Sequence, residues 1–245
     1  MDKLSFAGIP FCALDADAAA DFVIDLTSSK GDGADIHFLN AYSVALAETD
    51  PAFRSCVTAA TYNFPDGKPI SVLSSITRRG LYQVRGPGLF ESVMDRGRKA
   101  ALKHYLLGST PETLEKLRTS LESRFPGVEI AGTFSPPFRP MSTSELEQQD
   151  DEIRSSGADI VWVGLGTPKQ DFETARLASK GFTAAAVGAA FDFSAGTKPL
   201  SPAWMSAAGL EWLHRLASEP RRLWKRYLWG NSVFLISAAK HGLSR

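Results

Sequence analysis

The sequence predicts an α/β fold: a mainly parallel sheet with helices on its faces, followed by a helical C-terminal appendage. Three observations carry this. Short runs of strand character recur along the chain with helical patterns between most of them, the alternation expected of βαβ units. Several of these runs end in Gly or Asn followed at once by helix-start chemistry, and in open α/β sheets such carboxyl-end turns are where ligands bind. After Pro202 the alternation stops, and two helix-like stretches, about Ala207–Ala217 and Arg221–Ala239, follow each other with no strand between them. The expected core is therefore a Rossmann-like sheet.

In chain order, Asp15-Ala16-Asp17 opens an Ala-rich helix. The D-x-D pattern serves some sugar-nucleotide enzymes as a metal ligand, but acidic residues at a helix start also favour the positive end of the dipole, and that role fits the setting better. A strand is expected at Asp35–Asn40, where Asn40 either caps the helical run Ala41–Ala47 or contacts a polar ligand. Asp66 stands in the turn Pro65-Asp66-Gly67, ahead of an expected strand at Lys68–Leu73. It is either a stock turn residue or a general base held rigidly at a sheet edge. Further strands are expected at His104–Gly108, Val128–Gly132, Asp159–Gly164 and Thr183–Gly188. The Pro/Ser-rich stretch Phe134–Ser144 reads as a loop into a helix capped by Ser142 or Thr143, and Asp150-Asp151-Glu152 as a solvated helix face.

Two turns suit a phosphate. Gly108-Ser109-Thr110-Pro111-Glu112 and Gly164-Leu165-Gly166-Thr167-Pro168-Lys169-Gln170 each join an apolar strand to a helix start. The second lacks the third glycine of a dinucleotide fingerprint and the Gly-Lys-Ser/Thr of a P-loop, so neither NAD nor ordinary ATPase chemistry is supported. What remains is a glycine turn that admits a ligand to the backbone, then free N–H groups at a helix start. Thr167 and Gln170 also have capping-box spacing around Pro168, so simply starting a helix is the reading that spacing alone favours.

Composition excludes several classes. The 245 residues carry 27 Lys+Arg against 27 Asp+Glu and are 44% hydrophobic, which fits an ordinary core rather than a disordered, collagenous or disulfide-stapled chain. Cys12 and Cys56 form no C-x-x-C, and the four histidines lack His-Glu-x-x-His spacing, so no zinc site is expected. Asp15, Asp17 and Asp21 break the first apolar stretch, contrary to a signal peptide, and the longest uncharged apolar run, Phe182–Phe191, is half the length of a membrane span. A cytoplasmic protein is expected. Charge is nevertheless uneven: residues 203–245 hold Arg215, Arg221, Arg222, Lys225, Arg226, Lys240 and Arg245 against Glu211 and Glu219, a net +5 that leaves −5 for residues 1–202. Trp204, Trp212, Trp224 and Trp229 lie there too, four of the five tryptophans. The expected organisation is an α/β domain of one body or two lobes, 1–202, and a basic, Trp-rich helical appendage, 203–245, that either lies on a membrane surface or packs its tryptophans on the core or a partner subunit, with no nucleic acid expected.

Residues taken in order go further. Asn40, Pro65-Asp66-Gly67, Arg85-Gly86-Pro87, Leu106-Leu107-Gly108, Val163 through Asp171, Val187-Gly188-Ala189-Ala190-Phe191-Asp192, and Gly209 through Leu216 with Glu219-Pro220-Arg221-Arg222 resemble the motif series of the WecG/TagA/CpsF family, glycosyltransferase family 26. The resemblance runs from about residue 35 to 230. It implies an inverting transfer of a sugar from a UDP-sugar donor to a polyprenyl-diphosphate-linked saccharide at the inner face of the cytoplasmic membrane, with no bound metal and no cofactor. By the same resemblance Asp66 is the catalytic base. Asn40, Arg85, Gly108, Gly164, Gly166, Thr167, Lys169, Gln170 and Asp192 are substrate-binding positions, and Arg215, Arg221 and Arg222 complete the site near the lipid diphosphate. A non-catalytic sugar-nucleotide or lipid-diphosphate binding module of the same fold is the alternative, and a homo-oligomer is left open.

Overall fold

The computed structural model describes residues 1–28, 32–76, 80–202, 204–205 and 210–242. The chain opens with an antiparallel hairpin, β1 (Lys3–Phe6) and β2 (Ile9–Cys12). Ala7 and Gly8 turn it with φ of 52° and 73°, the paired left-handed conformations that match the twist of two strands joined by a two-residue loop. Then come α1 (Ala16–Ser28), β3 (Ala34–Leu39), α2 (Ala41–Thr49), α3 (Pro51–Ala59), β4 (Tyr62–Pro65), α4 (Lys68–Ile76) and α5 (Gly86–Arg96). The second half runs β5 (Lys103–Gly108), α6 (Pro111–Arg124), β6 (Glu129–Phe134), α7 (Thr143–Ser156), β7 (Ile160–Gly164), α8 (Lys169–Ser179), β8 (Thr183–Ala186) and α9 (Ala190–Ser194). Two helices close the described chain, α10 (Glu211–Ser218) and α11 (Pro220–Gly242).

Strands β3 to β8 form one six-stranded sheet in the order β4-β3-β8-β7-β5-β6, every neighbouring pair parallel. The fold is thus the Rossmann-like α/β arrangement expected. Neighbours β5 and β7 send their connections in opposite directions, β5 through α6 to β6 and β7 through α8 to β8. A crevice opens at the carboxyl ends of such a pair. Gly108 and Gly164 face each other there in register, and a Cβ on Gly108 would stand 2.6 Å from the Gly164 carbonyl oxygen. The chains approach too closely for a side chain at 108, which is why glycine ends β5.

One expected strand is a helix. Lys68–Leu73 forms the start of α4, because Pro69 sits comfortably in a first helical turn and would remove a ladder hydrogen bond from a strand. Ile70 and Ser74, four apart, face inward as a helix requires. The strand lies upstream, at β4, where Asn63, Phe64 and Pro65 are buried. Its place at the sheet edge tolerates a proline. Asp66 therefore follows a strand, at the ligand edge of the sheet, and does not precede one. Asp150 departs from the solvated face as well: it is buried and takes both terminal nitrogens of Arg176 from α8 at 2.7 and 2.8 Å. Ser142 caps α7 in the expected way, in a capping box with Glu145.

The core has three parts. The largest lies on one face of the sheet around Trp162, whose indole is edge-on to Phe90 and donates to His104 Nδ1 at 3.1 Å. A second joins the hairpin to α2, α3, α4 and α11 through Phe6, Phe11, Val44, Phe53, Ile70 and Phe234. The third holds Leu107, Val163 and Leu177 against α7 and α8. Phe234 is the point at which α11 enters the core, and Gly230 lets the same helix approach Tyr42 of α2.

Candidate active site

The carboxyl edge of the sheet opens into a cleft of about 650 Å³, closed over by α10 and α11. Each wall follows from a strand end. At the end of β3, Asn40 caps α2: its Oδ1 accepts from the N–H groups of Tyr42 and Ser43 at 3.0 and 3.3 Å. The cap and the cleft position are the same residue, so both readings of Asn40 meet in one place.

At the end of β4, the Asp66 N–H donates to the Leu39 carbonyl at 2.9 Å, binding the turn back to β3. Its carboxylate Oδ1 accepts from the Gly86 N–H at 2.9 Å, at the start of α5, and its carbonyl accepts from Gln83 Nε2 at 3.0 Å. Gly67 lies against Asn40, where an added Cβ would stand 3.4 Å from the Asn40 Cβ. Asp66 and Asn40 thus share one wall, and the backbone at a helix start holds the carboxylate.

The facing wall is the glycine turn after β7. Gly164 packs under Phe191, so close that a Cβ would stand 2.6 Å from the ring. Gly166 takes φ 77° with open space above it. Gln170 is buried and does not form the capping box its spacing allowed. Its Oε1 accepts from the Gly166 N–H at 2.9 Å and its Nε2 donates to the Ala186 carbonyl at 3.3 Å, stitching the turn to the end of β8. Among the described residues no protein acceptor takes the N–H of Thr167 or Lys169, so the first turn of α8 presents backbone donors of the kind that hold an anion.

Charge completes the mouth. Arg85, whose backbone caps α5, meets Glu211 of α10 at 2.5 Å. Lys198 meets Asp192 of α9 at 2.9 Å and Glu219 at 3.4 Å. Val72, Leu73, Leu200, Trp212 and Leu235 add an apolar side.

Of the expected site residues, Asn40, Asp66, Arg85, Gly164, Gly166, Thr167, Gln170 and Asp192 line this cleft. Gly108 lies behind it, pressed on Gly164, and Lys169 is exposed at the start of α8 outside the lining. Arg221 is exposed on α11, also outside the lining. Arg215 and Arg222 stand on α10 and α11, with side chains outside the described residues. Gln83, Glu211 and Lys198 also line the cleft and were not singled out as site residues, since no local pattern marks them. Asp15 and Asp17 are elsewhere: Asp15 caps α1 through the Ala18 N–H at 2.9 Å, and Asp17 faces Arg96 at 3.5 Å.

Fold and cleft together define a Rossmann-like α/β protein with its ligand site at the carboxyl edge of the sheet. Residues 4–245 match the model of the Glycosyl transferase WecG/TagA/CpsF family, and the chain belongs to that family. It is accordingly a glycosyltransferase, acting between a sugar donor and an acceptor in the context of cell-surface polysaccharides.

Proposed function

We propose that the chain moves a sugar from a UDP-sugar to a polyprenyl-diphosphate-linked saccharide by a single inverting displacement that needs no metal ion. The observation that carries this reading is the Asp66 carboxylate, anchored on the Gly86 N–H, in a cleft whose other wall is the amide-rich turn at Gly164–Gln170. Asp66 takes the proton of the acceptor hydroxyl. The hydroxyl oxygen bonds to the anomeric carbon as the bond from that carbon to the β-phosphate oxygen breaks, and the electron pair leaves with UDP. The charge that builds on the diphosphate is met by the N–H groups of Thr167 and Lys169 and by the cations at the mouth. Such fixed dipoles need no reorganisation as the charge develops. Asn40 and Gln170 hold substrate in register, which contributes through proximity. A screen of UDP-sugars with a polyprenyl-diphosphate saccharide, following UDP release with and without EDTA, tests this. Release that depends on the acceptor and survives EDTA supports the reading. Loss with EDTA and recovery with magnesium or manganese contradicts the metal-free step, and donor binding with no release favours the non-catalytic module.

We further assign residues 203–245 to the membrane surface. Phe234, Gly230 and Ser237 turn one side of α11 inward, and on the opposite side Trp224, Leu228 and Ile236 are 49, 68 and 67% exposed. Arg221 joins this outer face, and each basic residue near an anionic leaflet contributes about 1 kcal/mol. No described helix is long and apolar enough to cross a membrane. Liposome sedimentation should show binding to anionic vesicles that weakens at high salt. Equal binding to neutral vesicles, or none to either, would contradict the assignment.

A further inference from the structure

Beneath the glycine turn, between the sheet, α3 and α8, lies a cluster that the transfer chemistry does not use. His37 is wholly buried on β3, its Nε2 3.0 Å from Asp35 Oδ2 and its Nδ1 3.1 Å from Asp171 Oδ1. A neutral imidazole owns one N–H and can donate to only one carboxylate, so two such contacts require the doubly protonated ring. Asp35 also accepts from the Thr61 N–H and hydroxyl at 2.7 and 2.5 Å. Asp171 Oδ2 is buried with no hydrogen-bond partner among the described residues. Two carboxylates therefore share one imidazolium.

The place of the cluster gives it a consequence. His37 is in register with Asn63 of β4 and Ala186 of β8. The Ala186 carbonyl is the acceptor for Gln170 Nε2, and Gln170 Oε1 holds the Gly166 N–H. Consecutive residues of the first turn of α8 thus reach in different directions, Gln170 to the glycine turn and Asp171 to His37. We infer that Asp35, His37 and Asp171 form a charged clamp that sets the start of α8 against β3, which makes His37 a positioning residue for binding of the donor diphosphate. The inference rests on the reading that the turn receives that diphosphate. Without the imidazolium, two buried negative charges would stand under an anion site; with it, one is cancelled.

The titratable groups facing His37 are Asp35 on its own strand, Asp171 on α8 and Cys56 on α3, whose Sγ donates to the Asp171 carbonyl at 3.6 Å. Its register neighbours Asn63 and Ala186 carry no charge. Burial alone would push the imidazole down, and the hydrogen bonds and charges of the two carboxylates overcome it and hold the group up at about 9. Burial and the same carboxylates send the Cys56 thiol up to about 12, so it stays neutral.

The test uses the full chain and UDP as probe. Imidazole nitrogen NMR of the wild type should show His37 protonated on both nitrogens at neutral pH and titrating near 9. A neutral ring at neutral pH overturns the clamp, whatever the variants do. By calorimetry, His37→Gln should weaken UDP binding about tenfold, the usual scale of coupling between linked sites. The double variant His37→Gln with Asp171→Asn, which keeps hydrogen-bonding groups, removes one charge of each sign and leaves Asp35 as the single carboxylate, should recover most of the loss. It should also lack the fall in affinity that the wild type shows as the pH passes about 9. Unchanged UDP affinity in folded His37→Gln overturns the positioning role alone. Absence of UDP binding by the wild type overturns the turn as a donor site and the positioning role with it, even where NMR finds the imidazolium.

Discussion

Asp66→Asn should lower turnover by roughly 100-fold or more, the scale of losing a general base, while leaving the melting temperature and UDP affinity close to wild type. The geometry makes this substitution informative. The asparagine Oδ1 can still accept from the Gly86 N–H that Asp66 Oδ1 engages at 2.9 Å, so the join between β4 and α5 survives. The backbone bonds to Leu39 and Gln83 do not involve the side-chain charge. What disappears is the capacity to take a proton. Asp66→Ala would lose the acceptor as well and leave the Gly86 amide unmatched, adding a stability cost of about 1–3 kcal/mol that confuses the kinetics. Rapid-quench measurement of the transfer step beside calorimetric UDP binding separates the two effects. A transfer rate within a few-fold of wild type in Asp66→Asn would remove Asp66 from the mechanism.

The second large effect is on stability, which should peak near pH 6.5 and fall on both sides. Burial would lower the His37 pKa, but Asp171 and Asp35 raise it to about 9, above the ordinary 6.5. The stability this provides is present in full below pH 6.5 and is lost as the pH rises through about 9. His104 behaves oppositely. Burial drives it down to about 4, and its Nδ1 must keep a lone pair to accept from Trp162. Its contribution is present in full above pH 6.5 and is lost as the pH falls through about 4. Each displacement is worth on the order of 3 kcal/mol. Asp35 steepens the acid limb: burial would raise its carboxyl, but His37 and Thr61 hold it at about 2, a contribution lost as the pH falls from its ordinary 3.8 towards that value. Urea midpoints from about pH 2 to 10 report all three, and His37→Gln should flatten the alkaline limb and lessen the Asp35 part of the acid limb. A profile that stays level, or one that rises from pH 6.5 to 9, would contradict the charge states assigned to both histidines.

Much of this architecture was legible in local patterns. Strands β3, β5, β6, β7 and β8 announced themselves by apolar runs ending in Gly or Asn, and the turns after β3, β7 and β8 line the cleft. Strand β4 was not, because Asn63 and Pro65 are poor strand formers in isolation; the sheet edge and the Asn63 side-chain bonds to the Pro10 and Val57 carbonyls hold it extended. The hairpin was missed for a similar reason, each strand being four residues long with Pro10 inside one. At the site, glycines and turn acids were visible, since a strand end must turn within a few residues. Partners distant in sequence were not: Asp171 meets His37 across 134 positions, and Glu211 reaches Arg85 only once α10 folds over the cleft. No periodicity encodes such pairs. The capping-box spacing of Thr167 and Gln170 misled in a different way, because the Gln170 side chain finds better partners in Gly166 and Ala186 than in its own helix start.

A single displacement driven by Asp66 from one side and relieved by the glycine turn from the other has a stereochemical signature. The anomeric configuration of the transferred sugar, read by NMR of the purified lipid-linked product and compared with that of the UDP-sugar supplied, reports it directly. The account predicts inversion. Retention would mean two displacements or a front-face route, and would contradict Asp66 as the base of a one-step transfer.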